Sequence, residues 1–471
     1  MSNSLEMTDK KRNLIFINIL ISCIATSLLS TALATALLPI TKDIGIDVTT
    51  GQWLTSGFSL ALGIIMPLTA FLIRRFPTKR LYLAGIGIFL IGLLICAFAT
   101  NFPIMMIGRV LQACGNGLLL SMAQVVILTI FPNNKKGTAM GWYGLATAAA
   151  PVIAPTLAGI LIDTVGWRSI FFITMAIMLV SLVFAISVFD NILETQNKKF
   201  DAISFAISIF AFGGITLGIG NIAGFGFIST SVLIPLIVGI ITSILFVYRQ
   251  FSIEQPFLDL RVLKFRKYTL SVIGSMLLYL ILMGTSVIMP LYIQSIMGYS
   301  ATISGLVTLP GSLAMTVVSP FTGKLFDKIG MKKLFIIGAL FMFISNIGMV
   351  FISMSTPIYI PALYHVIRSI AIACLMMPLV TWGTNSVDKS LVTDATALLT
   401  SLRTIAGAIG AAMFVGVMSM ISTNSIPTYG KNAPMHGLNV TFFAMSIVAV
   451  ILLVISVFFV DKVKNNQLET Q

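Results

Sequence analysis

Apolar residues in this chain gather into long runs rather than alternating stripes. Fourteen runs reach the roughly 20 residues that a helix needs to cross the hydrocarbon core of a bilayer. They are 14–38, 52–73, 81–100, 104–130, 138–162, 169–189, 202–222, 229–248, 269–293, 302–325, 333–353, 358–382, 396–420 and 438–460. Short segments of alternating polarity, the mark of a membrane β-barrel, are absent. The pattern predicts an all-α polytopic membrane protein with 14 transmembrane helices. The weakest pair is 202–222 and 229–248, joined by the glycine-rich link 223–228; twelve spans plus a re-entrant hairpin is the competing count. The first run is too long for the apolar part of a cleavable signal peptide.

Composition supports the membrane reading. Of 471 residues, 57% are hydrophobic and 9% charged, against about 25% charged in a soluble domain. Too few charges remain to cover a soluble surface, which excludes an ordinary cytosolic enzyme, a disordered chain and a secreted disulfide scaffold. The four cysteines, Cys23, Cys96, Cys114 and Cys374, all fall inside apolar runs and read as small buried hydrophobes.

The net charge of +14 carries the topology. With the N-terminus inside, the outer loops hold only Lys42, Arg168 and Lys431, and the spans hold Arg109, Arg368 and Arg403. The other 23 of the 29 basic residues lie in inner segments, as the positive-inside rule requires when both termini are cytoplasmic. No compact basic patch with interleaved aromatics appears, so no nucleic-acid partner is expected.

An internal repeat divides the chain. Pro67 to Leu81 aligns with Pro320 to Leu334, with the prolines, the closing leucines and the basic pairs Lys79-Arg80 and Lys332-Lys333 in register. Arg109 in span four is echoed by Arg368 in span twelve. The expected organisation is a six-helix half over 1–200, two inserted linker helices over 201–255 and a second six-helix half over 256–471. Two parallel six-helix halves with a site between them are a transporter arrangement.

Ionisable groups inside a membrane are costly and mark candidate sites. Here they are Arg109, Arg368 with His365 on the same helical face, and Arg403. They form either a polar cluster that gates or relays protons, or structural anchors bonded to backbone carbonyls. None of the fifteen Asp and Glu residues falls in the middle third of a span. The proton-coupling candidates are therefore Asp163, at the outer end of span five, and His365, whose ordinary pKa suits switching. In span one, Ser27 and Thr31 are either helix-packing residues or part of a hydroxyl-lined cavity wall.

Span five is rich in special residues: Gly144, Pro151, Pro155 and Gly159, the last three on one face. The prolines remove backbone hydrogen bonds and bend a helix; the small residues permit close approach. A bending, tightly packed helix suits a hinge or seal. At the inner face, Asp327 in the loop 323–333 can cap a helix or pair with basic residues such as Lys332. Its counterpart in the first half is Arg74, so the expected inner gate is asymmetric. No phosphate-binding loop, catalytic triad or metal-ligand cluster is present, and two histidines cannot build a multi-His site. No enzyme activity, cofactor or metal is expected.

Taken together these motifs resemble the major facilitator superfamily, and within it the fourteen-span drug:proton antiporters of the lincomycin-efflux type. The resemblance covers nearly the whole chain. Arg109, Gln112, Gly115, Asn116 and Gly117 look like the family's span-four arginine motif. The span-five stretch to Gly159 looks like its antiporter motif, and Gly323 to Lys333 like its loop motif. Gln52-Trp53, Pro256 to Leu260 and the segment Pro290-Leu-Tyr292-Ile-Gln294 also look like it. The resemblance implies a monomeric exporter in a bacterial plasma membrane, moving small amphipathic substrates outward in exchange for protons. It implies a cavity organised by Arg109, Gln112, Asn116 and Tyr292. Two departures bear on mechanism: the acidic residue common in span one of the family is replaced by Ser30 or Thr31, and the first loop has Arg74 for the aspartate. Export or uniport of a specific metabolite or lipid without the usual proton coupling is the alternative. A membrane sensor built on the same fold is a further one.

Overall fold

The computed structural model describes residues 8–460 except 194, 196–200, 227, 254–255, 257 and 389–390. Among the described residues the regular structure is helical: α1 (Asp9–Ile44), α2 (Val48–Gly51), α3 (Trp53–Arg75), α4 (Thr78–Ala97), α5 (Phe102–Ile130), α6 (Asn133–Thr164), α7 (Ser169–Val188), α8 (Ala202–Phe225), α9 (Thr230–Ser252), α10 (Arg266–Leu291), α11 (Ala301–Val350), α12 (Tyr359–Thr384), α13 (Val392–Asn424), α14 (Ile426–Tyr429) and α15 (Ala433–Val454). A π-helical turn, Tyr292–Ile296, extends α10, and another, Ile455–Phe459, extends α15.

The helices start and stop where local chemistry allows. Thr8, Asn101, Asp201, Ser229 and Ser300 cap N-termini with side-chain acceptors, satisfying amide donors that a helix cannot pair internally. α1 ends at Gly45 in the left-handed region, φ 74°. The expected tight loop 323–333 is a sharp turn: α11 is two helical arms that meet at Gly330, φ 76° and ψ 165°, a conformation open to a residue without Cβ. In the first half the same turn is made by Phe76 and Pro77, between α3 and α4.

Twelve helical segments among the described residues are long and apolar enough to cross a membrane; the two arms of α11, Ala301–Gly323 and Lys328–Val350, count separately. Two further helices, α3 and α6, stand at the places of the remaining two predicted runs. The surface is that of a membrane protein. Ile91, Phe98, Val180, Val183, Ile237 and Ile244 are exposed, while Arg109, Gln112, Arg368, Asn18 and Asn346 are buried. Apolar side chains outside and polar ones inside invert the soluble pattern.

Three apolar cores hold the bundle. The first draws on α1 and α3 to α7, with Leu33, Phe89, Leu119 and Phe171 fully buried. The second draws on α10 to α13 and α15, with Ile288, Phe335, Phe414 and Phe442, and it also takes in Leu37 and Leu38 from the end of α1. The third links α9, α10 and α13 through Phe246, Val272 and Leu398. α8 and α9 pair with each other, and α8 leans on both α13 and α3. That pair is pinned at its base: Arg249 bonds Asp201 at 2.9 Å and Ser204 at 3.0 Å. Gln250 donates to Ser204 at 2.8 Å and accepts from the Leu258 amide at 2.9 Å.

Candidate functional site

Arg109 sits one-quarter of the way along α5 and is 1% exposed. Its Nε donates to the Leu54 carbonyl at 2.9 Å and its Nη1 to Gln112 Oε1 at 2.6 Å. Gln112 in turn donates to the Gly92 carbonyl at 3.1 Å. That last bond depends on glycine: a Cβ on Gly92 would lie 2.6 Å from the Gly108 carbonyl and 2.8 Å from Gln112, so any side chain there would drive α4 and α5 apart. The guanidinium lies over the Phe58 ring at 4.1 Å, a cation–π contact that strengthens in a desolvated place. Arg109 therefore ties α5 to α3, and Gln112 ties α5 to α4. Its Nη2 keeps no hydrogen-bond partner, and neither do the buried polar atoms of Gln52, Thr55, Ser56 and Asn116 Oδ1.

Asn116 lies two turns along α5 from Arg109 and is buried. Ser27 and Thr31 are half-buried on α1; the Thr31 hydroxyl donates back to the Ser27 carbonyl at 3.1 Å. The other polar residues of α1 serve packing within the first core. Ser22 bonds the Tyr82 hydroxyl at 2.8 Å, and Asn18 accepts from Ser181 at 2.8 Å. Tyr292 is fully buried at the start of the π-helical turn with its hydroxyl unpartnered. Such turns widen a helix locally and frequently mark functional positions.

In the other half, Arg368 on α12 is 1% exposed and lies 5.1 Å from the Phe442 ring. His365 is one turn away, packed against Gly311. Arg403 stacks at 4.8 Å on Tyr279.

The two sets of helices meet tightly at one end. Asp163 at the end of α6 accepts from the Thr302 amide at 2.8 Å and from the Thr302 hydroxyl. Thr156 donates to the Gly305 carbonyl at 3.2 Å. A Cβ on Gly305 would lie 2.5 Å from the Pro155 carbonyl, and one on Gly159 would run into the carbonyl of Ala301. Small residues on both helices thus let two backbones touch. Nearby, Gln294 donates to the Thr35 carbonyl at 3.0 Å, joining the π-helical turn to α1. Deeper in, Ser401 on α13 donates to the Gly63 carbonyl on α3 at 2.6 Å. Burial pushes the Asp163 carboxyl up, but the donors of Thr302, Ser300 and Ala301 outweigh it and hold it below the usual carboxylate range.

The structure thus brings Arg109 and Gln112 together, and Pro155, Gly159 and Asp163 onto one interface. It keeps Arg368 and His365 in the second half. Lys332 is half-buried beside the Gly330 break. The side chains of Arg74, Pro151 and Asp327 and the position of Gly144 lie outside the described residues, so the expected pairing at the inner gate does too. Sequence reasoning missed Asn346, buried on α11 with both amide atoms unpartnered. It also passed over the roles of Phe58 and the Leu54 carbonyl. A buried Asn in an apolar run was the available signal for Asn346; the Arg109 acceptors left none.

Comparison with known proteins agrees with this geometry. The Major Facilitator Superfamily profile matches residues 15–411. The lincomycin resistance protein LmrB of Bacillus subtilis (strain 168) is 35% identical over 465 residues, 96% of each chain. The multidrug export protein EmrB of Escherichia coli (strain K12) is 26% identical over 391 residues, 81% of this chain and 75% of EmrB. A crystal structure of a bacterial homologue of the human lysosomal transporter Spinster, inward-facing and unoccupied, superposes with a TM-score of 0.72 at 15% identity, covering 96% of this chain and 97% of that one. The likeness to it is one of fold. A helical bundle with charge buried in its interior, matched along most of its length by bacterial drug exporters, is a carrier of the plasma membrane and not an enzyme: the chain belongs to the major facilitator superfamily.

Proposed function

We propose that this chain is a secondary exporter of amphipathic drugs that works by alternating access, with protons entering in exchange. The reading extends the names of LmrB and EmrB to a relative, and one structural observation carries it. The helix with the Pro155–Gly159 face packs backbone to backbone against the first arm of α11 at one end of the bundle. That is a seal between two halves that can part. In this reading residues 1–200 and 256–471 rock against each other, 201–255 form an accessory pair, and all fourteen predicted runs span the membrane. Both termini are cytoplasmic, the sealed end is the outer one, and the functional unit is a monomer.

Arg109, Gln112, Asn116 and Tyr292 organise the cavity side of the bundle. Asp163 acts as an outer latch. An ordinary carboxylate value is about 3.9, and contact with Thr302 takes Asp163 lower. It is therefore ionised at neutral pH whether the latch is made or broken, and Asp163 and His365 remain the two candidates for proton coupling.

Proteoliposomes containing the purified protein and a lincosamide or a lipophilic cation test the proposal. An imposed pH gradient should drive substrate uptake or release, and collapsing the gradient should abolish it. Flux that persists unchanged without a gradient would replace exchange by uncoupled transport, and no flux of any such compound would sink the drug-export reading.

A further inference from the structure

The two buried arginines hold equivalent places in the repeated halves, yet their surroundings differ. Arg109 has Gln112 three residues on as an acceptor, and the Leu54 carbonyl besides. The residue three after Arg368 is Ala371, fully buried and without a polar atom to offer. Nε, Nη1 and Nη2 of Arg368 all lack a hydrogen-bond partner. The guanidinium keeps its proton and its five N–H donors in any protein. The Phe442 ring, 5.1 Å away, offers its face but no acceptor, and buried charged donors without acceptors are among the costliest arrangements a fold can contain.

Among the described residues no carboxylate forms an ion pair with it. Residues 328–387 contain neither Asp nor Glu, and neither do 260–326 or 395–460. That covers α10, α12, α15 and nearly all of α11 and α13. Asp388 follows the end of α12, and from Arg368 to Thr384 alone the helix runs about 24 Å.

Further unmet polar atoms lie on α12 itself and on the neighbouring α11. Asn346 is fully buried with its amide nitrogen and oxygen unpartnered, and His365, one turn from Arg368, leaves Nδ1 unpartnered. The second arm of α11 and α12 are locked in register at this level: Ser345 donates to the Tyr364 carbonyl at 2.7 Å. That bond sets their chain neighbours, Asn346 and His365, at one level of the bundle.

We propose that Arg368, Asn346 and His365 form a binding site for one small monovalent anion inside the C-terminal half. Water would satisfy the donors but leave the positive charge unbalanced; an anion does both. The planar guanidinium fork supplies the main donors, the Asn346 amide adds N–H groups, and His365 contributes Nδ1–H. Burial of Arg368 and Asn346 restricts the occupant to a halide-sized ion. The site does not rest on the drug-export reading.

Equilibrium binding of radioactive chloride to the purified full-length protein, in gluconate buffer of constant ionic strength, tests it. Wild-type protein should bind about one chloride per chain, saturably, with bromide competing and sulfate not. Arg368→Met should weaken binding about tenfold or more, the scale of a lost hydrogen bond to a charged group. Asn346→Leu, which keeps the arginine, should weaken it less but measurably, and stands in if Arg368→Met does not fold. No saturable binding by folded wild-type protein, equal competition by sulfate, or unchanged affinity in either folded variant would overturn the site.

Discussion

Asp163 on α6 and Thr302 on α11 are joined by two hydrogen bonds, one from the Thr302 amide and one from its hydroxyl. The amide belongs to the first turn of α11, where donors lack partners within the helix and an anion is favoured by the helix dipole. A carboxylate contributed by one set of helices thus completes the capping of a helix in the other.

Replacing Asp163 by Ala should loosen that end. Losing a capping acceptor costs about 0.5–2 kcal/mol, which predicts a roughly 2- to 30-fold shift toward the parted state. A cysteine placed at Thr308 would report it through faster labelling by a membrane-impermeant thiol reagent. An unchanged labelling rate would remove Asp163 from the seal.

The same contact predicts a pH limit. Because its carboxyl is held below the usual range, the latch contributes fully above the ordinary carboxylate value of about 3.9. Its contribution is lost as pH falls through the lower value in the closed state. Labelling of the Thr308 reporter should therefore be flat across neutral pH and rise only under strong acid. A rise centred near pH 6 would mean that another group controls closure.

Glycine-to-alanine changes probe the seal from its backbone. Gly159→Ala and Gly305→Ala each place a Cβ against a carbonyl of the facing helix, and overpacking of this kind costs about 1–3 kcal/mol. Both variants should express at normal levels but export more slowly, with the Thr308 reporter more accessible. Gly213, whose Cβ would meet nothing within 4 Å, is the control, and Gly213→Ala should behave as wild type.

Arg109→Lys should fail nearly as completely as Arg109→Ala. A lysine can replace the charge but not the fork that reaches the Leu54 carbonyl and Gln112 together. Each lost bond to a charged group is worth about 1.5–3 kcal/mol. Transport that survives in Arg109→Lys would show that charge alone suffices.

Within the α8–α9 pair, Gln250→Leu should lower the melting temperature more than Asp201→Asn. Gln250 is fully buried, and its loss strands the Leu258 amide, at about 1–3 kcal/mol. The Asp201–Arg249 pair is partly exposed, with side chains 16% and 32% accessible, and such pairs contribute about 0–1 kcal/mol. The reverse order in a thermal melt would contradict this ranking.

Much of this was legible in the chain. Long apolar runs located the helices because a bilayer forces every backbone group into internal bonds; Arg109 stood out as a charge inside a span, and Gly159 as a small residue that lets helices approach. What the chain did not show were partners set by tertiary approach. The Leu54 carbonyl is indistinguishable from any other until α3 lies against α5. The tight loop expected over 323–333 is a turn between two helical arms, but that Gly330 makes the break, with φ 76°, was not legible beside Gly323 and the basic residues around it. Asn346 was overlooked because one amide in a long apolar run scarcely alters hydropathy.

Arg109 is bonded only to neutral oxygens and faces an aromatic ring, so its charge is steadied without being cancelled. A fixed positive potential thus stands in the interior near one end of the bundle. Hydrated sodium, potassium or hydronium ions straying into a half-open carrier would meet that potential, much as a pore arginine turns cations away. The residue that braces α5 against α3 would on this account also keep the protein from short-circuiting the membrane it sits in.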